Sequence, residues 1–129
     1  IAQNTNKYVF CLDGDGASIM HLGNFSSTGQ SNAENFIHFL INNAAHDSVG
    51  GQPTCASLID LPSIAKACGY ASTETTSNIA EIPTYIKKFK NEKGPHLLEI
   101  MVSKGSRGDL GRPTTTPAQN KKVLMDKFS

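Results

Sequence analysis

An acidic and an amide side chain, held in two short motifs, are the residues of this chain best suited to chemistry. Gly14-Asp15-Gly16 is followed, after 25 intervening residues, by Asn42-Asn43. Side-chain oxygens of Asp and Asn are ligands that Mg²⁺ accepts, and a bound Mg²⁺ usually completes its shell with phosphates and water. The two motifs therefore predict a site for Mg²⁺ and a diphosphate.

The elements that must position these motifs form a strand–helix–strand unit. Residues 8–12 are an apolar, β-prone run typical of a strand buried on both faces, residues 17–28 predict a helix, and residues 36–41 predict a second strand. Parallel neighbours need a crossover of this length. Ligands collect at the carboxyl ends of such strands, where Asp15 and Asn43 are both expected.

The predicted helix adds a second binding feature. The first amides of a helix starting near Gly16-Ala17 lack intrahelical partners, and the helix dipole is positive there, so a diphosphate can be bound at that end. The alternative is structural: Asp15 caps a helix and Asn42-Asn43 forms a turn. Gly-Asp-Gly alone is a weak signal, and the second motif at matching spacing strengthens it.

These motifs resemble the diphosphate-binding motif of thiamine diphosphate enzymes. The resemblance implies an α/β fold with a three-layer, doubly wound, mostly parallel sheet, and thiamine diphosphate and Mg²⁺ as cofactors. It implies that Asp15, Asn43 and the backbone carbonyl of Ala45 bind the metal. The cofactor-binding residues that it implies are Gly14, Asp15, Gly16, Ala17, Asn43, Ala45 and His46.

Two further segments resemble a narrower group within that family. Residues 42–54 resemble phosphonopyruvate and sulfopyruvate decarboxylases, and residues 104–117 resemble the phosphonopyruvate branch. The resemblance implies a 2-oxo acid decarboxylase that converts 3-phosphonopyruvate to phosphonoacetaldehyde. A sulfopyruvate decarboxylase subunit and another thiamine diphosphate-dependent 2-oxo acid decarboxylase remain alternatives.

Three groups of residues are candidates for the chemistry beyond the cofactor. His46 is suited to proton transfer or to contact with the acidic group of the substrate; the alternative is a hydrogen bond to the loop backbone only. Asp47 is expected to orient a neighbour rather than to act alone. Lys104, Arg107 and Arg112 follow a strand and suit a phosphonate dianion; the alternative for them is an ion pair with Asp109 or a subunit contact.

The composition limits the classes of partner. The 12 basic and 11 acidic residues give a formal charge of +1, so nothing favours nucleic acid or an anionic membrane surface. No apolar run is long enough to span a membrane, and we expect no signal peptide. Cys11, Cys55 and Cys68 are odd in number and widely spaced, which favours buried, reduced thiols in a cytoplasmic protein.

The 129 residues are enough for one domain with a real core. The chain begins with Ile1 and enters a core strand within a few residues, although a parallel sheet should have an earlier neighbour there. We therefore expect a domain truncated at its N-terminus, with a natural C-terminus. The resemblance implies that a pyrimidine-binding domain of the same or a partner chain supplies the missing catalytic Glu, and that the intact protein is a homo-oligomer.

Two other classes of binding domain are alternatives for this sequence. A nicotinamide-binding domain predicts Gly-x-Gly-x-x-Gly, but Ile19 stands at the third glycine position and the second strand ends in amides rather than an acid. A non-catalytic Mg²⁺ or nucleotide-binding module would share the metal site and needs no second domain. The first class is disfavoured and the second stays open.

Local signals predict the remaining elements. Residues 53–57 are expected to be a loop. Thr116, Pro117 and Gln119 form a capping-box pattern at the start of the last helix, which is expected to run to about Phe128. The other predicted elements are a helix over 62–68, a strand over 70–73, a helix starting between 78 and 83, and a strand over 96–102.

Overall fold

The computed structural model describes residues 1–127, and its main sheet has four parallel strands in the order β1-β2-β6-β5. A separate two-stranded antiparallel pair joins β3 and β4. The elements in chain order are β1 (Val9–Gly14), α1 (Asp15–Met20), α2 (Asn24–Gly29), β2 (Phe36–Asn42), β3 (Ala45–His46), β4 (Gln52–Pro53), α3 (Leu61–Ala67), β5 (Ser72–Thr76), α4 (Ile82–Lys90), β6 (His96–Met101) and α5 (Pro117–Asp126). Short 3-10 turns occupy Ala2–Asn4, Asp47–Val49, Cys55–Leu58 and Ile79–Glu81.

The pairing of β1 with β2 brings the two motifs to one edge of the sheet. The strands are parallel, and Gly14 lies opposite Ile41. Asp15 is therefore the first residue beyond β1, while Asn43 is the first residue beyond β2. The prediction that both motifs follow neighbouring parallel strands is confirmed.

Apolar side chains on both faces of the sheet produce three layers. On one face, Phe25 of α2 and Leu61 and Ala65 of α3 pack with Leu40 and Leu97 of the sheet. On the other face, Phe89 of α4 packs with Ile37, Phe39 and Leu98. The chain moves outward from β2 to β5 and then returns to β6, so crossovers of constant hand place α4 on the opposite face. The predicted three-layer, doubly wound, mostly parallel sheet is confirmed.

The helix predicted over residues 17–28 is two short helices. His21 ends α1 with φ −124° and ψ 39°, outside the helical region, and the Asn24 amide then bonds the His21 carbonyl. Gly23 and Asn24 have low helix propensity, so the break between α1 and α2 costs little. The apolar spacing still brings the predicted residues to one side, because Ile19 and Leu22 pack on the cluster that contains Phe25.

The expectation that β1 is buried on both faces is wrong. Leu12 is 73% exposed and Phe10 is 42% exposed. β1 has only one neighbouring strand in the described part of the chain, and α4 covers the same face of the sheet over β2 and β6 instead. An apolar run predicts a strand, but it does not predict which neighbour covers each face.

Other predicted bounds shift for identifiable reasons. The segment expected to be a loop contains the 3-10 turn Cys55–Leu58, because the Thr54 hydroxyl accepts a hydrogen bond from the Ala56 amide. β5 spans Ser72–Thr76 rather than 70–73, because its pairing with β6 begins at Ser72 opposite His96 and continues to Thr76. The α3 helix begins at Leu61, one residue early, and α4 starts within the expected range. β6 ends at Met101, one residue before the predicted end.

The C-terminal helix keeps its predicted start. The capping box of Thr116 and Gln119 is present at the beginning of α5. The helix ends at Asp126, and Phe128 lies outside the described residues. None of the helices found in residues 1–127 is long and apolar enough to cross a bilayer.

The three thiols are free, as expected, but only two of them are shielded. Cys11 and Cys68 are partly buried, whereas Cys55 is exposed. The prediction of buried thiols is therefore wrong at Cys55, which is exposed although its neighbour Ala56 in the same 3-10 turn is buried.

Candidate cofactor and metal site

A cavity of about 470 Å³ opens at the carboxyl ends of β1 and β2 and brings both motifs together. Every residue predicted to bind the cofactor lines it, and Asp47 lines it as well. A groove of about 490 Å³ beside the outer edge of β1 is similar in size, but its lining has no charged side chain. The cavity at the strand ends is therefore the candidate site. Its lining from the two motifs is Gly14, Asp15, Gly16, Ala17, Asn43, Ala45, His46 and Asp47.

Asp15 is a buried carboxylate at the base of this cavity. It is only 2% exposed, and its Oδ2 accepts a hydrogen bond of 2.5 Å from the Thr54 hydroxyl. Thr54 Oγ1 itself accepts from the Ala56 amide, so its single proton is committed to Asp15. No Lys, Arg or His of residues 1–127 forms an ion pair with Asp15. A buried charge needs a partner, and this carboxylate therefore fits a bound cation.

The two asparagines of the second motif have different roles. Asn42 is 2% exposed, and its Nδ2 donates to Glu99 Oε1 of β6 at 2.8 Å, which is a structural contact inside the sheet. Asn43 lies at the cavity, where its Oδ1 accepts from the Ala45 amide at 3.0 Å. Its Nδ2 donates to Asp47 Oδ2 at 2.8 Å. The two bonds determine which end of the Asn43 amide is oxygen, and that oxygen has a second lone pair available for a metal.

The backbone conformation of Ala44 brings Ala45 to the same cavity. Its φ of 54° is in the left-handed region, which is uncommon for a residue with a Cβ. The turn leads Ala45 into the pairing with Pro53, and Ala45 lines the cavity. The residues implied for Mg²⁺ thus all line one cavity, and carboxylate, amide and backbone oxygens are ligands that suit that ion. Binding of Mg²⁺ by these residues stays a prediction.

His46 lies directly against the first motif. A methyl group added at Gly16 would be 2.6 Å from His46 Nδ1 and Cε1, so the absence of a side chain at Gly16 makes room for the imidazole. The imidazole ring forms no hydrogen bond within residues 1–127, although the His46 carbonyl accepts from the Gly51 amide. The ring is therefore available to a bound molecule, and its role in proton transfer stays a prediction.

The basic residues of the C-terminal loop lie outside the cavity lining. Lys104, Arg107 and Arg112 are exposed, and Arg107 Nε pairs with Asp109 Oδ1 at 3.1 Å. The loop nevertheless contacts the site, because the Gly105 amide donates to Asp47 Oδ2 at 2.6 Å. The alternative interpretation, an ion pair with Asp109, is present for Arg107, while substrate binding by the loop stays a prediction.

Buried titratable groups lie beneath the first motif. His38 Nδ1 contacts the Tyr70 hydroxyl at 3.1 Å, and His38 Nε2 lies 3.6 Å from Asp13 Oδ2. Burial lowers the pKa of His38, although Asp13 opposes the shift. Burial also raises the pKa of Tyr70 to about 12. His38 and His96 are both buried in the core.

A comparison with protein families agrees with this geometry. Residues 1–100 match the family described as thiamine pyrophosphate enzyme, C-terminal TPP binding domain. The chain belongs to this family. Thiamine pyrophosphate is thiamine diphosphate, so the family-level prediction from the two motifs is confirmed and the chain is a TPP-binding domain of an enzyme family.

Two curated relatives and one solved structure are similar to this TPP-binding domain, and the chain spans only part of the length of each. Phosphonopyruvate decarboxylase of Streptomyces viridochromogenes is 35% identical over 119 residues, which cover 92% of this chain and 30% of that protein. Sulfopyruvate decarboxylase subunit beta of Methanocaldococcus jannaschii is 35% identical over 105 residues, which cover 81% of this chain and 54% of that protein. A putative thiamin diphosphate-dependent enzyme of Mycobacterium smegmatis shares the fold, with a TM-score of 0.67 at 19% identity, covering 81% of this chain and 19% of that structure.

Proposed function

We propose that this chain is the diphosphate- and Mg²⁺-binding part of a thiamine diphosphate-dependent phosphonopyruvate decarboxylase. The observation behind the proposal is that Asp15, Asn43 and Ala45, which are 28 or more residues apart across the two motifs, line one cavity of a TPP-binding domain. Residues 1–129 then act as one domain, and a pyrimidine-binding domain completes the site. The reaction converts 3-phosphonopyruvate to phosphonoacetaldehyde and carbon dioxide.

The chain's own residues have distinct tasks in this proposal. Asp15, Asn43 and the Ala45 carbonyl hold Mg²⁺, while the first-turn amides of Gly16 and Ala17 bind diphosphate oxygens. Thiamine diphosphate, when bound, supplies the carbon nucleophile and electron sink that decarboxylation of a 2-oxo acid requires. The protein contributes binding, orientation and electrostatics.

His46 is the proposed proton donor. Its ring lies against Gly16, lines the cavity and has no hydrogen-bond partner among residues 1–127. It can therefore protonate the carbon that loses carbon dioxide or hydrogen-bond the acidic group of the substrate. Asp47 positions Asn43 and does not react.

The extent of similarity favours phosphonate as the acidic group of the substrate. The match to the Streptomyces phosphonopyruvate decarboxylase is 119 residues long, so it continues beyond the family match that ends at residue 100. Lys104, Arg107 and Arg112 lie in that continuation, and guanidinium groups bind a phosphonate dianion through paired hydrogen bonds.

Sulfopyruvate decarboxylase is the second candidate, because the Methanocaldococcus subunit beta is equally identical and the chain covers more of its length. Steady-state assays of the intact protein on both acids test the choice. We expect a higher kcat/KM with phosphonopyruvate; a higher value with sulfopyruvate would transfer the proposal to the second candidate. Arg112→Gln and Arg107→Gln should raise KM for phosphonopyruvate, with Lys121→Gln on α5 as the matched control.

The same assays of the intact protein distinguish the proposed decarboxylase from a non-catalytic Mg²⁺-binding module. Such a module would bind Mg²⁺ without decarboxylating either acid. Activity that requires both thiamine diphosphate and Mg²⁺, and that disappears in Asp15→Ala, would exclude this third possibility. The test uses the intact protein because a domain that supplies part of the site must be present.

A further inference from the structure

One carboxylate oxygen connects the metal-binding segment to the basic loop. Asp47 Oδ2 accepts from Asn43 Nδ2 at 2.8 Å and from the Gly105 amide at 2.6 Å. Gly105 is 58 residues away in sequence and lies in the loop after β6. We call this pair of hydrogen bonds the Asp47 bridge. It joins a proposed metal ligand and a proposed substrate-binding loop through a single atom.

The bridge acts on the orientation of Asn43. A carboxylate oxygen only accepts hydrogen bonds, so it attracts the NH₂ end of the Asn43 amide and leaves Oδ1 on the side of the Ala45 amide. Groups that hydrogen-bond a metal ligand without touching the metal set its orientation, and their loss typically weakens metal binding about 10-fold or more. Asp47 is in this position with respect to Asn43.

The same oxygen acts on the loop. Gly105 has a φ of 100°, a conformation that glycine adopts readily and that brings its N–H to the carboxylate. Its neighbour Lys104 is exposed, as is Arg107, which has its own partner in Asp109. The Asp47 bridge is therefore a long-range contact that holds this part of the loop beside the cavity.

We propose that Asp47 is a positioning residue that couples metal binding at Asn43 to docking of the basic loop. The proposal rests on the proposed function, because it assigns Asn43 to the metal and the loop to the substrate. When Mg²⁺ and thiamine diphosphate hold Asn43 in place, the carboxylate is held as well, and the Gly105 amide gains a fixed acceptor. Coupling of this kind is reciprocal, so a docked loop also strengthens metal binding.

Limited trypsin digestion measures the docking of the loop. Trypsin cuts after Lys104, which is the peptide bond whose nitrogen belongs to the bridging Gly105 amide. In the intact protein, Mg²⁺ with thiamine diphosphate should slow this cleavage about fivefold, the factor expected from one hydrogen bond at an exposed carboxylate. In Asp47→Ala the cofactor should leave the cleavage rate unchanged.

Metal binding is measured on the same variants. The Mg²⁺ concentration at half-maximal thiamine diphosphate binding should rise about 10-fold in Asp47→Ala. Asp47→Asn should restore most of both effects, because one amide oxygen can accept both hydrogen bonds. Asp109→Ala is the matched control, because it removes a carboxylate of the basic loop that pairs with Arg107 and does not contact Asn43. The trypsin cleavage rate with cofactor and the Mg²⁺ requirement should both stay at the wild-type value.

The outcomes separate the two proposals. Loss of cofactor protection together with the raised Mg²⁺ requirement in Asp47→Ala alone supports the coupling. The coupling is overturned if Asp47→Ala loses the protection of Lys104 from trypsin but keeps the wild-type Mg²⁺ requirement. It is also overturned if Asp47→Ala and Asp109→Ala give the same cleavage rate and the same Mg²⁺ requirement. A wild-type protein that does not bind thiamine diphosphate with Mg²⁺ refutes the proposed function instead.

Discussion

Replacing Thr54 with valine removes one hydroxyl from the base of the site and leaves the side-chain volume nearly unchanged. The hydroxyl donates to Asp15 Oδ2 at 2.5 Å and accepts from the Ala56 amide at 3.3 Å. Asp15 is 2% exposed, so water cannot replace the lost donor without disturbing the core. The variant therefore leaves a buried carboxylate less well compensated.

The magnitude follows from the two bonds. A hydrogen bond to a charged group contributes about 2 kcal/mol, and loss of an N-terminal cap costs about 1 kcal/mol, so we expect the free energy of unfolding to fall by about 3 kcal/mol. Thr54→Ser is the matched control because it keeps the hydroxyl and loses only a methyl group, at about 1 kcal/mol. The Mg²⁺ requirement for cofactor binding should rise at least about 10-fold in Thr54→Val, because Thr54 positions a proposed metal ligand.

Urea unfolding of the metal-free protein and calorimetry with thiamine diphosphate provide the two readouts. A double-mutant cycle with Asp15→Ala isolates the pair: in that background Thr54→Val should cost only the cap, about 1 kcal/mol. Equal stability of Thr54→Val and wild type, or a larger loss in Thr54→Ser than in Thr54→Val, would refute the assignment of Thr54 to Asp15.

Three further predictions concern the same site and its base. Gly16→Ala should lower kcat for decarboxylation, because the new methyl would lie 2.6 Å from the His46 ring and displace the proposed proton donor, whereas Gly23→Ala, with no atom within 4 Å of the added methyl, should keep the wild-type kcat. If Gly16→Ala keeps the wild-type kcat, the His46 ring does not act from its position beside Gly16. Burial lowers the pKa of His38 below its ordinary value of 6.5, so the unfolded chain takes up a proton that the folded chain does not. Its contribution to stability is therefore complete above about pH 6.5 and declines as the pH falls. Urea unfolding should show a smaller loss between pH 7 and pH 5 in His38→Gln than in wild type, while His21→Gln, at an exposed position, should follow wild type. His46→Gln should lower kcat for decarboxylation at least about 100-fold and leave cofactor affinity within about threefold; an unchanged kcat would contradict the proposed role of His46 as proton donor.

The sequence was sufficient to predict the sheet and the position of the motifs on it. Residues 36–41 are apolar apart from His38, which indicates a strand covered on both faces, and most of β2 is buried. The spacing of the motifs left room for the crossover that a parallel pair requires, and β1 and β2 are indeed parallel neighbours. The strand over residues 8–12 was equally apolar, yet its outer face is exposed, since coverage depends on chain topology rather than on local composition.

The contacts that organise the site were harder to predict. The hydroxyl of Thr54 reaches Asp15 from 39 positions away, and Gly105 reaches Asp47 from 58 positions away. No local pattern encodes such distances, because each contact depends on how a loop returns across the sheet. Asn42 and Asn43 illustrate the opposite case: their side chains alternate across the end of β2, so one is buried against Glu99 and the other faces the cavity.

The most direct test of the metal assignment is a crystal structure of the intact protein with thiamine diphosphate and Mn²⁺ in place of Mg²⁺, using anomalous scattering to locate the ion. We expect one anomalous peak beside the diphosphate, about 2.1 Å from the Asp15 carboxylate, Asn43 Oδ1 and the Ala45 carbonyl oxygen. A cofactor bound with its metal on other residues, or a metal bound at this site with the diphosphate elsewhere, would contradict the metal assignment.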